Sequence, residues 1–184
     1  MNMKLSVFVS GTGSIMEAII NDGIPVELVL ADRKCRGLDI AKAARIPTEL
    51  VTRKFGEGFN REEYTRRILQ ILLDYKVQVV AMAGFMTVLA PVIFEEWQGI
   101  ILNTHPSLLP SFKGDNAVQD AINYGVKITG CTIHRATAKL DEGPILAQET
   151  ILILPGDTKE TLHERIKEVE RVLYPRTLRR ILET

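Results

Sequence analysis

Apolar positions along the chain follow two rhythms. Short runs rich in β-branched residues read as strands: KLSVFVS (4–10), VELVLA (26–31), TELVT (48–52), VQVVAMA (77–83), IILNTH (100–105), CTIHRA (131–136) and ILAQETILIL (145–154). Several are apolar on both faces, as strands of a parallel sheet covered by helices are. Between them, apolar residues recur every three or four positions. NREEYTRRILQILLDY opens on Asn60 with Glu63 three residues on, a capping box, and places Tyr64, Ile68, Leu72 and Tyr75 on one face. DTKETLHERIKEVERVL repeats that grammar with Asp157 and Glu160, and Leu162, Ile166, Val169 and Leu173 form its expected buried stripe. Pro175 should kink or end this helix. The alternation predicts one α/β domain over 1–184, with a mainly parallel sheet flanked by helices. Ligands of such sheets gather beyond the carboxyl ends of the strands, where the strand order reverses.

Composition narrows the function classes. The chain has 184 residues, 46% hydrophobic and 25% charged, as a soluble single domain would. Its 23 basic and 23 acidic residues cancel, which argues against nucleic acid or an anionic membrane as partner. Cys35 and Cys131 lie in no CxxC or Cys/His cluster, so reduced thiols are expected rather than a disulfide or structural zinc. The apolar run in MNMKLSVFVSGTGS is too short for a signal core or a membrane span, and the expectation is a cytoplasmic protein. The 3 histidines show no metal-ligand spacing, so no metal is expected.

VFVSGTGSIMEAII reads as strand, glycine loop, then helix. Such a loop lets a ligand approach the backbone, and the unpaired N–H groups of a helix start favour an anion. Gly13, Ser14 and Ile15 would then offer backbone donors to a phosphate, with the Ser14 hydroxyl adding a bond. A plain strand-to-helix turn explains the same residues. No GK[ST] follows, which excludes a Walker loop. A dinucleotide fingerprint needs glycine or alanine where Met16 stands, although Asp32 would suit a ribose hydroxyl.

GIILNTHPSLLP carries the chemistry. Residues two apart on a strand face the same side, so Asn103 and His105 should aim together from the strand's carboxyl end. An asparagine amide can donate to a developing oxyanion, and an imidazolium can donate or deliver a proton. Pro106 and Pro110 would restrict the following loop. Asp141, in the turn of KLDEGPILAQ, would stabilise the imidazolium. No serine or cysteine sits in a nucleophile elbow, so the attacking group would come from a substrate, as in acyl transfer between two substrates. His134 reads as a core histidine or one supporting the site, and His163 as a surface residue.

With SGTGS near the N-terminus, AGFMTVL at 83–89, NTHPSLLPSFKG at 103–114 and LDEGP at 140–144, the chain resembles the phosphoribosylglycinamide formyltransferase family over essentially its whole length. Related formyl-group enzymes share the Asn, His and Asp but usually vary the Pro-Ser-Leu part and carry a further domain. The resemblance implies a single-domain Rossmann-like formyltransferase fold. It also implies formyl transfer from 10-formyltetrahydrofolate, as co-substrate, to the amine of glycinamide ribonucleotide in purine synthesis. Asn103 and protonated His105 would stabilise the oxyanion, and Asp141 would keep His105 protonated. Gly13, Ser14 and Ile15 match the loop holding the substrate phosphate, and Glu170 the acid contacting the ribose. Arg61, Met86, Thr87, Val88 and Leu89, with Asn103, match the folate-binding positions, 86–89 being read as an apolar strand edge. The sequence departs from the family's usual residues at Ile15 (usually Asn), Thr87 (frequently Arg), Asn116 (often His) and Arg171 (usually His). The expected partners are small molecules, and a homodimer is admissible. Two other readings are a 10-formyltetrahydrofolate hydrolase, with water replacing the amine, and a non-catalytic nucleotide-binding module using Gly11–Ser14 and Asp32.

Overall fold

The computed structural model describes residues 3–54, 56 and 58–183. The chain divides into two compact units, one running to Leu102 and the other from Asn103. The first contains β1 (Leu5–Val9), α1 (Ser14–Asn21), β2 (Leu28–Ala31), α2 (Arg36–Ala43), β3 (Thr48–Leu50), α3 (Arg61–Asp74), β4 (Val79–Met82) and α4 (Val92–Glu96). β5 (Ile100–His105) passes from the first unit into the second. The second continues with α5 (Ala117–Tyr124), β6 (Ile128–Arg135), β7 (Ile145–Leu152) and α6 (Lys159–Leu182). The fold is α/β, with a seven-stranded sheet ordered β3-β2-β1-β4-β5-β6-β7. β1 pairs in parallel with β2 and β4, and β2 with β3, while β6 and β7 are antiparallel.

Every residue of β1 and β2 is buried, as expected of strands covered on both faces. The strand order reverses between β1 and β4, so the loops leaving these strands flank the switch point where open α/β sheets bind ligands. Among the described residues no helix is long and apolar enough to cross a membrane.

Several elements differ from their sequence reading. β4 ends at Met82, so 83–89 is a loop rather than a strand edge. β6 begins at Ile128, three residues early, because its pairing with β7 starts at Ile128↔Leu152. Asn60 caps α3 as expected, its Oδ1 accepting from the Glu63 N–H at 3.0 Å. At α6 the cap is Thr158, which forms a reciprocal box with Thr161, whereas Asp157 accepts from the Leu154 N–H and the Thr161 hydroxyl. α6 does not end at Pro175 but continues to Leu182. Pro175 removes one backbone donor, yet it is itself buried beside Leu173, Tyr174, Thr177 and Leu178, which hold the helix on course. Val169, expected in the stripe, is only half-buried, and the buried position is Glu170.

Candidate active site

The end of β5 organises the second unit. The Asn103 amide Nδ2 lies 3.2 Å from His134 Nε2, and His105 Nδ1 lies 3.5 Å from Asp141 Oδ2. His134 Nε2 is 3.7 Å from Asp141 Oδ1, so one carboxylate stands beside both imidazoles. The structure thus gathers the three predicted residues, Asn103, His105 and Asp141, and adds His134 among them. His105, Asp141 and His134 are buried, whereas Asn103 is half-exposed.

The protonation pattern follows from which partners can only accept. His134 Nδ1 faces the Arg135 carbonyl at 3.3 Å, which requires an N–H there. Burial pushes His134 below its ordinary value of 6.5, against the opposing pull of Asp141. A neutral His134 therefore presents an unprotonated Nε2, which accepts one N–H of the Asn103 amide. This fixes which way the amide faces and leaves its second N–H free for another acceptor. His105 Nε2 faces the Phe112 carbonyl at 2.8 Å, so that nitrogen also carries hydrogen. A neutral His105 would then turn its Nδ1 lone pair toward the Asp141 carboxylate, while the imidazolium turns an N–H toward it.

The two groups facing His105 sit on unusual backbone. Phe112 has φ 52° and Asp141 φ 54°, the left-handed region that costs a non-glycine residue about 1 kcal/mol or more. Hydrogen bonds hold these conformations. The Thr132 hydroxyl donates to the Ser107 carbonyl at 2.7 Å and accepts from the Leu109 N–H at 3.0 Å. Gln148 Nε2 donates to the Leu109 carbonyl at 2.9 Å, and the Ser107 hydroxyl to the Ser111 carbonyl at 2.6 Å. Gly114 N–H donates to Asp141 Oδ2 at 2.9 Å, and Lys113 pairs with Glu142 at 2.9 Å. Side chains of β6 and β7, more than Pro106 and Pro110 alone, fix the loop after β5. The register of β6 on β7 shifts between Ile133 and His134, where the pairing skips Leu146.

Thr104, between the two predicted site residues, donates its hydroxyl to Glu170 Oε1 at 2.7 Å. Glu170 is only 4% exposed, and burial pushes its carboxyl up to about 7, with the Thr104 bond pulling the other way. Asn116 stands at the cap position before α5 without a side-chain cap bond. His163 is half-buried rather than a surface residue, and burial lowers its pKa, with Lys167 adding to the effect.

The first unit holds the other predicted residues. Gly13 precedes α1 with φ 75°, and a Cβ there would stand 2.7 Å from the Gly37 backbone. Only glycine satisfies both constraints. The first helical bond runs from Glu17 N–H to the Gly13 carbonyl at 2.8 Å, so the amides of the first turn have no acceptor within the helix. Those amides can bind an anion. The Ile15 side chain is buried, which leaves its backbone as the part able to meet a ligand. Arg61 opens α3 with an exposed side chain. Beyond β4, Met86 and Val88 are exposed, whereas Thr87 and Leu89 are buried. Asp32 is fully buried, with both oxygens engaged by Arg33 and one also by Thr87, so it cannot serve as the ribose reader of a dinucleotide site. Among the described residues no group of three or more His, Cys, Asp or Glu could hold a metal ion.

Comparison with known proteins identifies the family. Residues 3–178 match the family described as formyl transferase. The phosphoribosylglycinamide formyltransferase of Mycobacterium tuberculosis (strain H37Rv) is 41% identical over 175 residues, covering 92% of this chain and 80% of that protein. The human trifunctional purine biosynthetic protein adenosine-3 is 38% identical over 182 residues, 95% of this chain but only 18% of that longer protein. The crystal structure of phosphoribosylglycinamide formyltransferase from Anaplasma phagocytophilum superposes with a TM-score of 0.90 at 37% identity, covering 100% of this chain and 88% of that one. With one family matched across nearly its whole length and the same fold in a solved relative, the chain belongs to the formyl transferase family.

Proposed function

We propose that the chain is a phosphoribosylglycinamide formyltransferase, moving a formyl group from 10-formyltetrahydrofolate to the amine of glycinamide ribonucleotide in purine synthesis. The observation that carries this reading is the buried His105–Asp141 pair beside an Asn103 amide whose orientation is fixed by His134. The substrate amine attacks the formyl carbon, and the carbonyl oxygen becomes a tetrahedral oxyanion. The free N–H of Asn103 and the His105 imidazolium stabilise that oxygen, whose charge exists only in the transition state and intermediate. Collapse breaks the bond to folate N10, which takes up a proton as the former amine gives one up. Asp141 holds His105 as the imidazolium and assists that proton movement. No enzyme nucleophile is required.

Gly13, Ser14 and Ile15 bind the ribonucleotide phosphate through the α1 amides, and Glu170 takes the ribose. Arg61 and the 86–89 loop hold the folate. Residues 1–184 work as one formyltransferase domain acting on small molecules in the cytoplasm, without a metal. The test is release of tetrahydrofolate from 10-formyltetrahydrofolate with and without glycinamide ribonucleotide. Release that requires the ribonucleotide supports the transferase. Release without it identifies a hydrolase, and binding without release a nucleotide- or folate-binding module.

A further inference from the structure

Asp32, the first residue after β2, has no exposure at all, an expensive place for a carboxylate. It is fully partnered. Arg33 Nε and Nη2 donate to its two oxygens at 2.9 and 3.0 Å, and the Thr87 hydroxyl donates to Oδ2 at 2.7 Å. Burial alone would raise this carboxyl, but hydrogen bonds from Arg33, Thr87 and Ser10 outweigh it and hold the group below its ordinary value. Ser10, at the end of β1, also accepts the Met86 N–H at 2.8 Å. Arg53 donates to the Met86 carbonyl at 3.4 Å, and the Ala90 N–H donates to the Thr65 hydroxyl at 2.9 Å.

The loop after β4 is therefore tied at Met86, Thr87 and Ala90, with Thr87 and Leu89 turned inward. What remains outward is the exposed Met86 and Val88 side chains, at 62% and 46% exposure, together with the backbone between them. An apolar anchor would fill the buried position at lower desolvation cost. A carboxylate adds direction: it accepts from Thr87 in only a narrow set of loop conformations. The departure at Thr87 has a physical reason too. Threonine is short enough to reach inward, and Arg33 supplies the guanidinium that Asp32 needs.

We propose that Asp32 is a positioning residue for the formyl donor, holding the 86–89 loop in its folate-binding conformation through the Thr87 hydroxyl and Ser10. The inference rests on the reading of 86–89 as the folate loop, and it assigns Thr87 an inward role in place of direct side-chain contact. The test uses the full chain and calorimetric titration with tetrahydrofolate in the absence of ribonucleotide, a binding readout independent of turnover. Thr87→Val keeps the shape and removes the hydroxyl, and should weaken tetrahydrofolate binding about tenfold. Thr87→Ser keeps the hydroxyl and should bind within about twofold of the unaltered chain. Asp32→Ala, which removes both acceptor oxygens, should behave as Thr87→Val, and thermal melts report whether each variant folds. In turnover, KM for 10-formyltetrahydrofolate should rise in Thr87→Val while kcat and the ribonucleotide KM hold. Unaltered tetrahydrofolate binding in Thr87→Val, equal weakening in Thr87→Ser, or no tetrahydrofolate binding by the unaltered chain would each overturn the proposal. Tetrahydrofolate binding with the predicted pattern but no formyl transfer would leave the positioning role standing and remove the transferase reading.

Discussion

Replacing Glu170 with glutamine should make the protein more stable at alkaline pH and leave it nearly unchanged in acid. Glu170 occupies a buried position on α6, with Thr104 donating to Oε1 at 2.7 Å. Its carboxyl rises from 4.5 to about 7, burial being the largest cause. A carboxyl whose folded value lies above its unfolded value holds its proton more tightly in the native state. That contribution is complete below 4.5 and is lost as pH rises through about 7. At 1.36 kcal/mol per pH unit, charging the buried group costs about 3 kcal/mol by pH 8. Glutamine resembles the protonated acid, retains an oxygen for Thr104 and never charges. The difference in unfolding free energy between Glu170→Gln and the unaltered chain should be near zero at pH 4.5 and about 3 kcal/mol at pH 8. Urea unfolding across that range measures it, and the subtraction cancels other groups such as His134 and His163, whose lowered pKa values act in the opposite direction. A difference independent of pH would mean that Glu170 carries no raised pKa in the native protein, because packing and hydrogen bonding alone do not titrate.

Other expectations follow from the same geometry. His134→Ala removes the acceptor that orients the Asn103 amide and should lower kcat about tenfold with KM little changed, while His134→Gln, which retains an acceptor, should recover part of the loss in steady-state assays. Asp141→Asn keeps the shape but removes the charge facing His105, and should reduce kcat about a hundredfold without a large change in melting temperature. Gly13→Ala forces a side chain into φ 75° and against the Gly37 backbone at 2.7 Å, so it should cost about 2 kcal/mol in urea unfolding as well as weakening ribonucleotide binding.

The legible parts of the fold are those where a local pattern and the tertiary structure agree. β5 matches its predicted span because Ile100 to His105 is apolar until its last polar residues, which are the ones meeting the site. Glu170 also left a trace: it lies four residues after Ile166 and three before Leu173, on the buried face of an otherwise charged helix. An acid in an apolar stripe needs a partner, and Thr104 is that partner. His134 could be recognised as buried, but its bond to Asn103 depends on a register shift between β6 and β7 that no local spacing encodes. Thr87 read as a folate contact because the family resemblance puts 86–89 at the folate-binding positions, and its inward turn depends on Asp32, 55 residues earlier. Pro175 misled for the opposite reason: local propensity opposed the helix, and burial of its neighbours overrode it. The loop after β5 looked proline-stiffened, whereas Thr132 and Gln148 from later strands do most of the holding.

In the proposed reaction Asn103 and His105 act together on one formyl carbonyl. The most direct measurement is ribonucleotide-dependent release of tetrahydrofolate from 10-formyltetrahydrofolate by the unaltered chain, Asn103→Ala and His105→Ala, with folding confirmed by circular dichroism. Transfer should require glycinamide ribonucleotide and fall by about a hundredfold or more in each folded variant. Transfer retained near the unaltered rate in both variants would contradict that joint action.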